Sequence, residues 1–120
     1  MTIGEIAEKL TLPESTLRYY EKRGLLQVAR DAGGRRNYEE EDIAWILFIR
    51  RLKETGMPIE HIRQYAELRD RGDETMTERL GILRTHRDYV LAQKLRWEEY
   101  LRNLDDKISF YEKEIKAKGL

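Results

Sequence analysis

The chain has 120 residues, of which 38% are charged, and its 23 basic residues balance its 23 acidic ones. This length suggests one or two small units. The longest uncharged apolar run, residues 43–49, is too short to cross a bilayer, and no signal peptide precedes the first amphipathic pattern. The chain has no cysteine, which excludes disulfides, thiolate metal sites and thiol redox sensing within it and fits a cytoplasmic protein.

Two short helices separated by a tight turn are predicted first. Thr2 and Glu5 have the spacing of a capping box at the start of a helix over about residues 3–9. Pro13 suits the first turn of a second helix over residues 14–23, and a glycine suits its end. This pair has the pattern of a helix-turn-helix, although many small helical domains begin in the same way.

The second helix is expected to carry polar and basic side chains on its outer face. Hydroxyls, an arginine and a tyrosine near the start of an exposed helix are groups that contact phosphates and base edges in DNA. Of the adjacent Tyr19 and Tyr20, one is expected to pack in the core instead. The candidate DNA contacts on this helix are Thr16, Arg18, Tyr19 and Lys22.

A two-stranded hairpin is predicted next, with strands over residues 25–30 and 35–38. Its turn, residues 31–34, ends in two glycines that are free to adopt positive φ. Residues 15–36 contain six basic residues against two acidic ones, a local excess of positive charge in a neutral chain. Such a ribbon after a helix-turn-helix is a wing, and its cations can contact the DNA backbone or the minor groove.

Third and fourth helices are predicted over residues 39–55 and 59–71. The first turn of the third helix has four carboxylates, residues 39–42. A metal or acid–base site is one interpretation, but acidic residues at a helix N-terminus more often complement the helix dipole. The sequence has no nucleophile–base pair, glycine-rich phosphate loop or metal-ligand spacing, so we predict no enzyme activity, catalytic residue, metal site or cofactor.

One long helix is predicted from Glu74 to Lys116, a stretch without proline. Its apolar-leaning positions alternate at steps of four and three residues, which is the heptad spacing of a coiled coil. Such a seam must be buried, which favours a homodimer through this helix. A single-chain hairpin is the alternative, but no glycine or proline between Gly81 and Gly119 breaks the pattern. The predicted dimer contacts are Leu80, Leu83, Val90, Trp97, Leu101, Leu104 and Ile108.

Two positions of this seam, Arg87 and Lys94, carry cations. Polar seam residues usually set the register and the choice of partner helix. The alternative is that they hold a small anionic effector between two subunits, and the sequence leaves both interpretations open.

Residues 1–72 resemble the MerR family of bacterial transcription regulators. No single segment is decisive, but all of the family's segments occur in order and at family spacing. The resemblance implies a mainly α fold, with a winged helix-turn-helix domain over residues 1–72 and a dimerisation helix over residues 73–120 that pairs as an antiparallel coiled coil. The matching segments are residues 16–21, 24–26, 36–38, 42–43, 52–57 and 59–62.

The resemblance also implies a function and further contacts. Family members bind palindromic promoters as homodimers and distort the spacer DNA so that RNA polymerase recognises both promoter elements. By motif match, Arg36 and Tyr38 are implied wing contacts, with Arg35 beside them at a position where the family often has an aromatic or small residue. His61 is implied to contact a flanking phosphate, although it could equally be an ordinary exposed residue.

The chain departs from two better-known types of the family. Metal- and thiol-responsive members use cysteines, which are absent here, and multidrug-type members append a ligand domain. We therefore expect a short, cysteine-free member without an appended effector domain, whose effector, operator and regulatory sign the sequence does not specify. The competing hypothesis is a protein-interaction module, antirepressor-like or excisionase-like, that uses the same fold and coiled coil.

Overall fold

The computed structural model describes all 120 residues and is mainly helical. Each predicted helix is present, and each lies within two residues of its predicted bounds. No helix is both long and apolar enough to pass through a membrane. The elements are α1 (Ile3–Leu10), α2 (Glu14–Lys22), β1 (Ala29–Arg30), β2 (Arg36–Asn37), α3 (Glu40–Glu54), α4 (Ile59–Asp70), a single 3₁₀ turn (Asp73–Thr75) and α5 (Met76–Lys118).

The start of α1 has the predicted capping box. The Thr2 hydroxyl accepts a hydrogen bond from the Glu5 backbone N–H at 3.1 Å, and the Glu5 carboxylate accepts one from the Thr2 N–H at 3.0 Å. The bond from the Thr2 backbone is the main cause that lowers the pKa of Glu5. The helix ends at Thr11, which adopts the left-handed conformation (φ 54°) and turns the chain towards α2. The helix-turn-helix is thus confirmed.

Residues 1–83 form one compact unit with a single apolar core. The core lies among α1, α2, α3 and α4, and the exposed fraction of Ile6, Leu17 and Ile46 is 0%. The indole N–H of Trp45 donates a buried hydrogen bond to the Leu25 carbonyl at 2.9 Å. Burying an aliphatic side chain such as that of Ile6, Leu17 or Ile46 stabilises the folded state by roughly 1.5–3 kcal/mol. These contacts therefore fix how the four helices pack.

The first predicted strand of the hairpin is wrong over most of its length. It was expected over residues 25–30, but β1 contains only Ala29 and Arg30. Leu25 and Leu26 are buried in the core without strand pairing. The Leu25 N–H completes the end of α2 by donating to the Tyr20 carbonyl at 2.9 Å, and its carbonyl binds the Trp45 indole. An apolar run of this kind therefore reflects burial, not a strand.

The junction between α4 and α5 is closed by one buried hydroxyl. Thr75 is fully buried, and its Oγ1 lies 2.6 Å from the Leu68 carbonyl and 2.8 Å from the Gly72 carbonyl. Arg79 donates from Nε to the same hydroxyl oxygen and from Nη2 to the Gly72 carbonyl, both at 3.0 Å. These bonds, and the glycine's positive φ of 91°, set the turn ahead of α5.

Residues 84–120 form a second unit that consists of the remainder of α5. No residue of α5 is buried, although the helix has 43 residues and is therefore roughly 64 Å long. The unit division falls at Leu83, later than the predicted domain boundary between residues 72 and 73. The reason is that Ile82 and Leu83, in the first turns of α5, pack against the apolar core of the first unit.

Candidate nucleic-acid interface

The outward face of α2 presents two cations that have no partner in the chain. Arg18 and Lys22 are exposed, and neither forms a hydrogen bond or an ion pair. Thr16 is half-buried in the first turn. Tyr19 is 39% exposed, with the Lys53 ammonium 5.1 Å from its ring centroid. The adjacent Tyr20 is 3% exposed, which confirms that one of the two tyrosines packs in the core.

The predicted wing is present as a short antiparallel ribbon. Ala29 pairs with Asn37, and Arg30 pairs with Arg36. Asp31 Oδ1 accepts hydrogen bonds from the backbone N–H groups of Gly33 and Arg35, at 2.9 and 3.0 Å. This carboxylate orders the turn and places Arg35 at its tip, where 86% of the arginine side chain is exposed.

Glu21 joins the wing to α2. Its Oε1 accepts hydrogen bonds from Arg30 Nη2 and from Arg36 Nε, both at 3.0 Å. Only 20% of the Glu21 side chain is exposed, so these ion pairs are partly shielded from solvent and salt. The helix and the wing therefore hold a defined relative position. The sequence analysis did not predict this role of Glu21, which entered it only as an acidic residue in a basic region and as part of the matching segment 16–21.

A basic cleft lies between the start of α1 and the wing. It encloses about 300 Å³ and is open to solvent on one side. Three arginine side chains and the Thr2 hydroxyl surround it, and these are donors that suit a phosphate group. The lining residues are Thr2, Ile3, Arg30, Asp31, Gly34, Arg35 and Arg36.

Tyr38, expected to be a wing contact, lies in the core instead. It is 1% exposed, and its hydroxyl has no hydrogen-bond partner. Burial raises its pKa, so the phenol remains neutral. Its backbone N–H donates to the Met1 carbonyl at 2.8 Å, which ties the end of the wing to the start of the chain. A direct contact through this side chain is therefore not favoured by the geometry.

The start of α4 lies beside the end of α2. Arg23 and Glu60 form an ion pair at 3.0 Å between these two helices. A hydrogen bond from Arg63 is the main cause that lowers the pKa of Glu60, and Arg23 contributes to the same effect. His61 is the next residue along α4, and it is exposed in the first turn of that helix. It is thus placed at the flank of the α2 surface.

The carboxylates at the start of α3 are used as a helix cap. Asp42 Oδ2 accepts a hydrogen bond from the Glu39 backbone N–H at 2.8 Å. This bond gives Asp42 a structural role at the helix N-terminus, where acidic residues also complement the helix dipole. The chain contains no group of three or more histidine, cysteine, aspartate or glutamate side chains arranged to hold a metal ion.

Most of the predicted dimer contacts are uncovered in the single chain. Trp97, Leu101, Leu104 and Ile108 are each more than half exposed, and Leu80 is 46% exposed. Val90 is half-buried, as is Leu83, which packs on the core of the first unit. Of the two seam cations, Arg87 is exposed, and Lys94 forms an ion pair with Glu98 at 3.8 Å along the same helix.

Known protein families match nearly the whole chain. Residues 1–68 match a family described as MerR HTH family regulatory protein, and residues 43–107 match one described as MerR, DNA binding. An HTH-type transcriptional regulator from Haemophilus influenzae is 38% identical over 119 residues, covering 98% of this chain and 87% of the relative. The HTH-type transcriptional regulator AdhR from Bacillus subtilis is 40% identical over 92 residues, covering 76% of this chain and 66% of the relative.

Solved structures agree with these sequence matches. The crystal structure of HiNmlR, a MerR family regulator lacking the sensor domain and bound to promoter DNA, has a TM-score of 0.86 and 38% identity, covering 97% of this chain and 92% of that one. A MerR family regulator from Listeria monocytogenes has a TM-score of 0.90 and 34% identity, covering 93% and 86%. The relatives are transcriptional regulators and not enzymes. The chain is therefore a member of the MerR family of helix-turn-helix transcriptional regulators.

Proposed function

We propose that the chain binds promoter DNA as a homodimer and controls transcription initiation there. The observation that carries this proposal is the joining of α2 and the wing by Glu21 into one surface, on which Arg18 and Lys22 have no partner in the chain. Six of the ten other arginines of this unit are paired with carboxylates. Unpaired cations on a rigid surface are available to replace the counterions of DNA phosphates.

The two parts of this surface suit different parts of the duplex. A helix such as α2 fits the major groove, which is roughly 12 Å wide, and the Arg18 guanidinium can donate two parallel bonds to a guanine or a phosphate. Lys22 and the hydroxyls of Thr16 and Tyr19 suit phosphate oxygens. Arg35 at the tip of the wing suits the backbone or the minor groove.

Arg36 serves both the wing and the DNA in this proposal. Its Nε is bound to Glu21, and its two terminal nitrogens have no partner in the chain. They are therefore free to donate to a phosphate while the other side of the guanidinium remains fixed. His61 is proposed as a flanking phosphate contact, because it is exposed on a helix that is ion-paired to the end of α2.

The uncovered seam of α5 supports the homodimer. Exposed apolar side chains at heptad spacing are stabilised when a second helix covers them, and a two-fold dimer places two copies of α2 on a palindromic site. Distortion of spacer DNA and action on RNA polymerase are typical of the family, and we extend both to this chain. A regulator of this kind acts in the cytoplasm.

The proposal is tested with duplex DNA that the full chain enriches from random sequence. Fluorescence anisotropy then compares the wild type with Arg18→Ala and with Arg102→Ala, the control, which removes an exposed and unpaired arginine of α5. We expect Arg18→Ala to weaken binding by about tenfold or more, since each dimer loses two contacts. We expect Lys22→Ala to reduce the slope of log affinity against log salt by about two.

Equal affinity of Arg18→Ala and wild type would contradict the proposed surface. If no duplex is enriched at all, the protein-interaction alternative is favoured, and the wild type should then form a heteromer with its target.

A further inference from the structure

A second concave surface, which we call the aromatic groove, lies within residues 1–83. It is a shallow depression of about 260 Å³, largely open to solvent, and it is lined by residues of α3, α4 and the first turn of α5. It shares no residue with α2 or with the wing. Its lining residues are Glu41, Ala44, Trp45, Phe48, Tyr65, Arg69 and Arg79.

One wall of the aromatic groove is built from three rings. Trp45 and Tyr65 are stacked, with ring centroids 5.8 Å apart and an interplanar angle of 17°. Phe48 lies 6.0 Å from Trp45 and 5.8 Å from Tyr65, and it is the most open of the three. The indole of Trp45 is fixed by its hydrogen bond to Leu25, so this wall is rigid before any ligand arrives.

The aromatic groove also contains two guanidinium groups without a carboxylate partner. The guanidinium carbon of Arg69 lies 4.4 Å from the Trp45 ring centroid, and Arg69 forms no ion pair. Arg79 donates only to the neutral oxygens of Thr75 and Gly72. Glu41 is the one carboxylate that lines the groove, and it pairs with neither arginine. The groove therefore has a net positive charge that one anion would balance.

We propose that the aromatic groove binds a small planar aromatic carboxylate. Trp45 and Tyr65 are only 7% and 9% exposed, so the ring of such a ligand packs mainly on the half-buried Phe48 ring. Its carboxylate accepts hydrogen bonds from Arg69 and Arg79. A neutral aromatic compound would lack the charge-assisted bonds, and an aliphatic acid would lack the ring contacts. The combination of a rigid aromatic wall and two unpaired guanidinium groups selects for a ligand that has both properties.

Binding at this site is coupled to the junction ahead of α5. Arg79 holds that junction through its bonds to Thr75 and Gly72. A carboxylate that accepts from the same N–H groups competes with those two oxygens and changes the free energy of the junction. The site itself stands independently of DNA binding, whereas the regulatory consequence rests on the function proposed above.

Isothermal titration calorimetry of the full chain with 2-naphthoate tests the site. The comparison ligands are 2-naphthamide, which has the ring without the charge, and cyclohexanecarboxylate, which has the charge without the aromatic ring. We expect 2-naphthoate to bind at least about tenfold more tightly than either. Equal binding of the acid and the amide, or no binding of 2-naphthoate at millimolar concentration, would overturn the proposal.

Two arginine variants locate the site. Arg69→Gln removes an unpaired guanidinium and leaves the junction bonds in place. It should weaken the binding of 2-naphthoate by about tenfold. Arg71→Gln is the control, because Arg71 is an exposed arginine just beyond α4 that does not line the groove. It should bind as the wild type does. Unchanged binding in Arg69→Gln would overturn the assignment of the groove.

The coupling has its own readout. Saturating 2-naphthoate should shift the DNA affinity of the wild type by about threefold or more, and that of Arg69→Gln at the same concentration by much less. If 2-naphthoate binds but DNA affinity stays constant, the coupling is wrong and the ligand site stands. If the chain binds no DNA under any condition, the function proposed above fails, while the calorimetric result still decides the site.

Discussion

Apolar side chains are mostly buried in residues 1–83, whereas those in residues 84–120 are not. In the first unit, apolar residues of four helices are buried in one core, and Ile6, Ile49 and Ile62 have no exposed surface. In the second unit no residue is buried, and Trp97 is 69% exposed. The first unit therefore buries its apolar side chains within itself, whereas the second is stabilised only when another helix covers its seam.

The ion pairs of the two units differ in the same sense. Glu21 binds two arginines of the wing, and Arg23 binds Glu60 on another helix, so these pairs fix tertiary structure. In residues 84–120 the pairs are Lys94 with Glu98 and Lys118 with Glu114, both one helical turn apart. Such pairs support the helix by only about 0.2–0.5 kcal/mol each and specify no fold.

The largest expected effect comes from removing the seam. Leu101→Ala with Leu104→Ala keeps helix propensity high but deletes four leucine side chains from a two-fold dimer. We expect the dimer dissociation constant, measured by analytical ultracentrifugation, to rise more than about a thousandfold, since each buried leucine contributes roughly 1.5–3 kcal/mol. Arg102→Ala with Asn103→Ala is the control off the seam. A dimer of unchanged stability would show that these leucines do not form the interface.

A smaller effect is expected at the junction that precedes the seam. Thr75→Val keeps the shape of a fully buried side chain but removes the hydroxyl that contacts two carbonyls and Arg79. We expect the free energy of unfolding to fall by about 1–2 kcal/mol in urea denaturation. Thr77→Val, at an exposed position of the first turn of α5, should change it little. Equal stability of the two variants would show that the Thr75 hydroxyl does not stabilise the junction.

Glu21→Gln tests whether the ion pairs of the first unit fix its tertiary structure. The variant loses the charge that binds Arg30 and Arg36, so the wing should move more freely while the surface gains positive charge. We expect non-specific DNA binding to strengthen and the ratio of specific to non-specific affinity to fall by about threefold.

Glu14→Gln is the matched control for this variant, since it removes one exposed carboxylate from the same helix without an ion pair. If both variants change the specificity ratio equally, only net charge matters and the joining of wing and helix does not.

The smallest effect is expected at Tyr38, whose buried hydroxyl has no partner. Tyr38→Phe should leave DNA affinity unchanged and keep or slightly raise stability near pH 7, because no hydrogen bond is lost. Burial raises the pKa of Tyr38, so its stabilising contribution is fully present below the phenol's ordinary pKa of about 10 and is lost as pH rises through the higher folded value.

Urea denaturation of the wild type and of Tyr38→Phe between pH 8 and pH 11 tests this pH dependence. The wild type should lose more stability than Tyr38→Phe above about pH 10. A marked loss of DNA affinity in Tyr38→Phe at neutral pH would instead restore the predicted wing contact.

The helices of this fold can be predicted from local sequence patterns. The capping pair Thr2 and Glu5, and the glycines that end α2 and α3, identify helix ends because capping depends on residues close in sequence. The predicted strand over Leu25 and Leu26 is wrong, because an apolar run predicts burial but does not specify backbone pairing. Their partners, Tyr20 and Trp45, are set by packing of the whole unit.

The candidate site is readable only in part. The exposure of Arg18 and Lys22 follows from helical periodicity, since both lie on the outward face of α2. The role of Glu21 depends on two arginines 9 and 15 residues away, and no local pattern reveals that geometry. The aromatic groove depends likewise on side chains from three helices, which only tertiary packing brings together.

Hydroxyl-radical footprinting of the full chain on its selected duplex tests the central claim most directly. A homodimer with one α2 per half-site should protect two segments related by two-fold symmetry, separated by about one helical turn of DNA or a multiple of it. The same pattern should be lost in the Leu101→Ala, Leu104→Ala variant at concentrations where the wild type is fully bound. A single protected half-site, or a symmetric footprint that survives loss of the seam, would contradict the claim that α5 pairs two DNA-binding units.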